Sequence, residues 1–214
     1  MKGIMRTNIN RTSTTIFAAI YSLALTLSVS AETVRYNSQP IGSSTKIEGT
    51  STIHDWHMDS KLISGYIEAD AKFPESALTD ASTAKPVVNV SIPVTTFKSN
   101  SRKMDEVMQG AMKAKQHPKI EYKLIELKPK SDTASSGSAQ FDAIGVLTVA
   151  GTARTNSMPV TITKTEDKLK VSGSISLKMT DHGVEPPAPT IGLGLLKTGD
   201  EVKITFEWLT AKAK

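Results

Sequence analysis

His54-Asp55-Trp56-His57 is the cluster in this chain whose side chains suit metal or acid–base chemistry. A site of two histidines and a carboxylate needs its ligands to converge on one point at about 2 Å. On a strand, residues three apart point to opposite faces, so His54 and His57 cannot share an ion without a bulge. The favoured reading is a set of polar residues where a strand reaches a turn. His117 and His182 stand alone: His117 reads as a cap at a helix exit before Pro118, and His182 as a turn residue before Gly183. No metal centre and no cofactor are expected. Nucleophile chemistry fares no better, because the chain has no cysteine, no Gly-x-Ser-x-Gly elbow, and no Ser, His and acid grouping beyond chance spacing. Gly192-Leu-Gly194 lacks a phosphate-loop lysine and a following helix, so it reads as a hairpin or mouth element. An enzyme is not expected; one acting on an amphiphile would have only His54, Asp55 and Tyr122 as polar candidates.

Met104, Met108 and Met112 follow a different logic. They lie at i, i+4 and i+8, with Val107 and Ala111 between them and Asp105, Gln109 and Lys113 behind, which predicts a short helix with one apolar face. Such a face can be a plug packed on neighbouring structure. Unbranched, polarizable methionines also adapt to ligands of varying shape, so the same face can serve as a lid over an acyl or isoprenoid tail.

The elements around this helix read as strands. Val88, Val90, Ile92 and Val94 alternate with Asn89, Ser91 and Pro93, and Ile120, Tyr122 and Leu124 alternate with Lys119, Glu121 and Lys123. Further strands are expected near 33–38, 45–58, 61–73, 139–150, 158–165, 168–180 and 201–210, with those two near 86–97 and 119–128. The segment 74–85, the Ser-rich stretch 131–138 and the charged tip 164–168 read as connections. Pro186-Pro-Ala-Pro189 reads as a rigid extended loop framing a mouth. Many successive antiparallel strands favour a sheet closed on itself, which removes exposed edges. A barrel of about eight strands either fills its interior with side chains or holds one slender ligand. Aromatic residues make up only 5% of the chain, and the supposed inward positions are mid-sized aliphatics that could leave a lumen. Alternation alone still favours an ordinary filled core.

Residues 1–31 read as a signal peptide and 32–214 as one domain. Lys2, Arg6 and Arg11 give a basic start, Ile16 to Val29 is apolar, and Val29-Ser-Ala31 supplies the small residues of a cleavage site before Glu32. That apolar stretch is shorter than the ~20 residues needed to span a bilayer. Without cysteine there can be no lipid-modified N-terminal Cys, disulfide or thiol chemistry. The formal charge of +5 includes the three basic residues of the leader. The mature chain is therefore nearly neutral, and it lacks the electrostatic footprint of a nucleic-acid binder.

The segment from Asn100 to Pro118 places a lone amphipathic helix between two long strands and ends in His117-Pro118. With Gly145-Val-Leu-Thr-Val-Ala-Gly151, Pro159-Val-Thr-Ile162, Leu177-Lys-Met-Thr-Asp-His-Gly-Val184 and Gly199-Asp-Glu-Val202 in order, the chain from about residue 33 onward resembles the YceI family of bacterial periplasmic lipid-binding proteins. The resemblance implies an all-β fold: an antiparallel lipocalin-like β-barrel with one short amphipathic helix. It also implies a periplasmic carrier holding a polyisoprenoid or other long-chain apolar lipid in an open interior, with transient membrane contact. The residues expected to meet that ligand are Val90, Ile92, Val94, Met104, Met108, Met112, Ile120, Tyr122, Leu124, Leu147, Val149, Ile175, Leu177 and Met179. Asn89, Ser91, Thr148 and Lys178 are expected to face water. Two segments depart from the family pattern. Met112-Lys-Ala-Lys-Gln-His-Pro118 stands where many members have a Phe-rich stretch, and Ser51-Thr-Ile-His-Asp-Trp-His57 replaces a Phe-bearing strand. Both touch the lining or the mouth. The rival reading is a structural or stress-related interaction protein with a filled core and no ligand.

Overall fold

A computed structural model describes residues 32–79, 85–130, 137–188 and 197–214. The expected leader, the Gly192-Leu-Gly194 element, most of the Ser-rich connection and Pro189 lie outside the described residues. In chain order the strands are β1 (Thr33–Ser38), β2 (Ser44–Ser51), β3 (Trp56–Ser60), β4 (Ser64–Asp70), β5 (Val87–Pro93), β6 (Lys119–Pro129), β7 (Ser138–Val149), β8 (Thr152–Thr165), β9 (Lys168–Lys178) and β10 (Thr198–Lys212). Helix α1 (Glu75–Thr79) follows β4, and helix α2 (Arg102–Ala111) lies between β5 and β6.

All pairings are antiparallel, and from β4 to β10 each strand pairs with the next in sequence. Closure occurs at β10. Its N-terminal part, from Thr198 to Glu207, pairs with β2, while Thr210 to Lys212 pair with β1. On their other edges β2 pairs with β3 and β1 with β4. Thus β1 and β2 behave as one strand interrupted at 39–43, and β3 and β4 as another interrupted at 61–63. A bridge from Asp59 to Lys98 carries the closure past the end of β5. The result is a closed eight-strand antiparallel barrel with one amphipathic helix of ten residues, α2, as expected.

Three local expectations are corrected. The span 45–58 is two strands, because Ser51 breaks it: its hydroxyl donates to the His54 carbonyl (2.6 Å) and accepts from the Ile53 and His54 N–H groups, a local turn that outcompetes ladder pairing. The connection after Pro74 opens with a second short helix, α1, where the Asp70 carboxylate accepts from Lys72 N–H and the Ser76 hydroxyl (2.8 and 2.6 Å) and Ala77 is fully buried. Finally, the strand expected near 86–97 stops at Pro93. Val94–Thr96 form a single 3-10 turn, with the Thr96 hydroxyl donating to the Pro93 carbonyl.

The closed end of the barrel is a packed floor. Tyr36, Phe73, Phe141, Leu169 and Trp208 are each at most 3% exposed and belong to one apolar cluster with Ile67. The Trp208 indole N–H finds the Ser38 hydroxyl at 2.8 Å, so the ring is buried without an orphaned donor. On β6 the alternation slips at a bulge between Leu124 and Glu126. Leu127 is therefore buried, while Ile125 stands 62% exposed.

Candidate functional site

Above the floor the barrel is hollow. The inward side chains of β5, β6, β9 and β10 leave a lower chamber of ≈ 140 Å³, bordered by Val90, Ile92, Tyr122, Leu124 and Ile175. An upper chamber of ≈ 360 Å³, partly open to solvent, lies between the strand ends and α2. Met104, Met108, Met112, Val149, Leu177 and Met179 border it. Ile120 and Leu147 border both chambers, which therefore adjoin at their level. Thirteen of the fourteen sequence-predicted positions thus line the lumen. Val94 is the exception and is corrected here: it is 1% exposed but borders neither chamber, because the 3-10 turn rotates it out of the phase set by Val90 and Ile92.

Outward positions also fall where alternation puts them. Asn89 donates from its carboxamide to the Tyr66 hydroxyl (2.8 Å) and Thr148 borders neither chamber, whereas Lys178, although exposed, borders the upper chamber at its rim. Sequence reasoning missed part of the wall. Ile47 and Ile204 border both chambers, and Phe206 and Met158 border the lower one. The signal was present in β10, where Val202, Ile204, Phe206 and Trp208 alternate with Lys203, Thr205 and Glu207.

Among the described residues no charged side chain borders the lower chamber; its polar side chains are Thr45, Tyr122 and Asn156. The Tyr122 hydroxyl and Thr45 Oγ1 are buried without hydrogen-bond partners. Burial pushes the Tyr122 phenol up to about 12, so it stays protonated and able to donate. The upper chamber is more polar, with Lys103, His54 and His182 on its border. His182 is 3% exposed with Nδ1 unpartnered. Burial lowers its pKa, more than its hydrogen bond to the Thr152 backbone and nearby Asp181 raise it.

The lid helix is tied down at its start. The Ser101 side chain accepts from Met104 N–H at the N-cap. The Asp105 carboxylate accepts from Ser99 N–H and the Ser99 hydroxyl (both 2.7 Å) and lies 3.7 Å from Lys98 Nζ. Burial would raise the pKa of Asp105, but these hydrogen bonds and the Lys98 charge outweigh it and hold it below the usual carboxylate range. At the other end, Lys113 Nζ donates to the Gly183 carbonyl (3.3 Å). His117 closes the exit through its backbone N–H, which donates to the Lys113 carbonyl (2.8 Å). Its ring instead packs over Gly151, where any Cβ would collide with it and φ is +82°.

His54 faces the upper rim, its ring nitrogen 2.8 Å from the Asp55 carbonyl, whereas His57 lies outside, 3.6 Å from Asp59. Among the described residues no three His, Asp or Glu side chains gather as a metal site, and no helix is long and apolar enough to cross a membrane.

A hollow barrel roofed by a methionine helix is matched by the model of the YceI-like domain family over residues 25–209. The chain belongs to that family. Among solved structures, this YceI-like domain is similar to BcnA of Burkholderia cenocepacia (19% identity, 78% of this chain and 95% of that one, TM-score 0.60). It is also similar to a polyisoprenoid-binding domain of Saccharophagus degradans implicated in plant cell wall breakdown (10% identity, 83% and 98%, TM-score 0.63). A mutant YceI protein of Campylobacter jejuni aligns at 20% identity over 72% and 83%, with a TM-score of 0.53. At these identities the likeness concerns the fold alone. A search of curated proteins returned no match.

Proposed function

We propose that this YceI-like domain is a periplasmic carrier that holds a polyisoprenoid or similar long apolar lipid in the barrel and performs no covalent chemistry on it. The observation that carries this reading is the lumen: two adjoining chambers whose shared border, Ile47, Ile120, Leu147 and Ile204, is wholly aliphatic. An apolar wall of this kind rewards an apolar occupant and penalises a charged one. The thirteen lining positions would contact the chain of the lipid, with the methionines of α2 adapting to its shape. The structural neighbour from Saccharophagus degradans, described as polyisoprenoid-binding, supports the class of cargo.

Energetics favour a reversible carrier. At about 0.8 kcal/mol per buried CH₂, a long chain transferred from water would nominally exceed the ~18–21 kcal/mol ceiling of observed affinities. A chain taken from a bilayer exchanges one apolar environment for another, so the net preference is small and the cargo can be returned. Residues 1–31 would direct export, with cleavage before Glu32, which N-terminal sequencing of the periplasmic protein tests. Native mass spectrometry and solvent extraction of gently purified protein test the cargo. A stoichiometric apolar lipid is the expected result, and an empty extract would sink the carrier reading in favour of a ligand-free interaction protein.

A further inference from the structure

Of the unpartnered polar atoms in the lumen, the Tyr122 hydroxyl is the one carried by a ring that spans to the neighbouring strand. Tyr122 is 9% exposed, and its hydroxyl has no partner. The cost of leaving a buried hydroxyl unpaired is about 1–3 kcal/mol. Trp56 shows how the barrel treats a comparable ring: it lies over Gly49 of the neighbouring strand, where a Cβ would collide with it, and its N–H donates to the Thr50 carbonyl at 3.1 Å. The Tyr122 ring lies over Gly145 in the same manner, its hydroxyl end directly above the glycine, but finds no acceptor.

The register says where that hydroxyl points. Tyr122 pairs with Leu147, while Gly145 pairs with Leu124, one inward position nearer the floor. The phenol therefore leans down into the lower chamber. Gly145 pairs on its other side with Asn156, which borders the same chamber, so the tyrosine hydroxyl and the asparagine side chain share one patch of wall at cross-strand neighbour distance. The Asn156 carboxamide nitrogen donates to the Arg154 carbonyl (3.2 Å), at the solvent-exposed end of the side chain, and its oxygen remains available as an acceptor on the same wall as the unpartnered Tyr122 hydroxyl.

We infer that Tyr122 and Asn156, with Gly145 making room for the phenol, form an internal polar anchor. It selects long apolar chains that carry an uncharged oxygen function, a hydroxyl or carbonyl, and holds that function inside the lumen instead of at the mouth. The chemistry follows from the wall. The phenol donates and cannot neutralise an anion, no cation among the described residues borders the lower chamber, and a phosphate or carboxylate there would be an unpaired buried charge. A hydroxyl satisfies both groups, and a carbonyl satisfies the phenol.

This inference rests on the carrier reading, and matched probes separate the two. Phytanol and phytane, the same saturated branched hydrocarbon with and without a hydroxyl, are offered in equal amounts from phosphatidylcholine vesicles, and the bound ratio is read by mass spectrometry. Comparing variants at fixed vesicle composition cancels the cost of extracting each probe. Tyr122→Phe is expected to lower the phytanol-to-phytane ratio about tenfold, and Asn156→Leu to lower it in the same direction. Thermal unfolding confirms folding, and Asn156→Leu decides the matter should Tyr122→Phe not fold. If both probes bind and neither variant changes the ratio, the anchor is overturned and the carrier stands. If the parent protein takes up neither probe, both readings fall.

Discussion

The two halves of the barrel solve opposite problems with different residues. At the floor, Phe73, Phe141, Leu169 and Trp208 fill the closing turn of the sheet, and the one indole N–H among them is paired with Ser38. Toward the mouth the wall is Ile47, Ile120, Leu147 and Ile204, roofed by Met104, Met108 and Met112. Large rigid rings exclude ligand and water from one end, while aliphatic and thioether side chains leave adaptable space at the other. Stability and binding are therefore separable along the barrel axis. The floor should govern whether the chain folds, and the mouth and middle what it holds.

The largest effect expected is on binding at the middle of the lumen. Leu147→Arg should abolish lipid retention, because an unpaired guanidinium in an apolar lumen costs several kcal/mol even after relaxation. Thr148→Arg, on the same strand but the opposite face and paired with Glu121, should retain lipid. Equal extractable lipid in two folded variants would contradict the assignment of faces.

Next comes stability at the floor. Phe141→Ala should destabilise by about 3–5 kcal/mol in denaturant unfolding, as expected for an aromatic removed from a packed core. Met108→Ala, in the half-buried lid, should cost under about 1.5 kcal/mol while altering lipid exchange. If the two variants lose similar stability, the division between floor and mouth is wrong.

A smaller effect is expected from pH on the lid. The pKa of Asp105 is lower in the folded protein than its ordinary value of 3.8, so its contribution is complete above that value and is lost as pH falls through the folded pKa. Amide exchange across residues 104–112 should accelerate at that acidic edge ahead of the floor strands. Asp105→Asn should show fast exchange at neutral pH and a flat profile. A wild-type helix that opens only with global unfolding would remove the latch.

The smallest expected change is a gain. In ligand-free protein Tyr122→Phe deletes an unpaired buried hydroxyl and should raise stability by up to about 1 kcal/mol, the reverse of Phe141→Ala. A loss of stability would mean the hydroxyl already has a structural partner.

The sequence by itself determined the wall of the lower barrel. Period-two alternation in β5, β7 and β9 assigns Val90, Ile92, Leu147 and Ile175 inward, since strand geometry leaves two faces and only one can be apolar. It likewise determined α2, whose methionines recur at helical spacing, and through the ordered motifs it determined the family. Tertiary structure decided the rest, wherever a local contact competes with alternation. The Ser51 turn splits the expected 45–58 strand, the 3-10 turn after Pro93 rotates Val94 out of the lumen, and the β6 bulge buries Leu127 in place of Glu126. Only the pairing register of β6, β7 and β8 could set Tyr122 over Gly145 beside Asn156. Those residues are 23 and 11 positions apart in sequence, and no periodicity within a single strand reports which side chains meet on neighbouring strands.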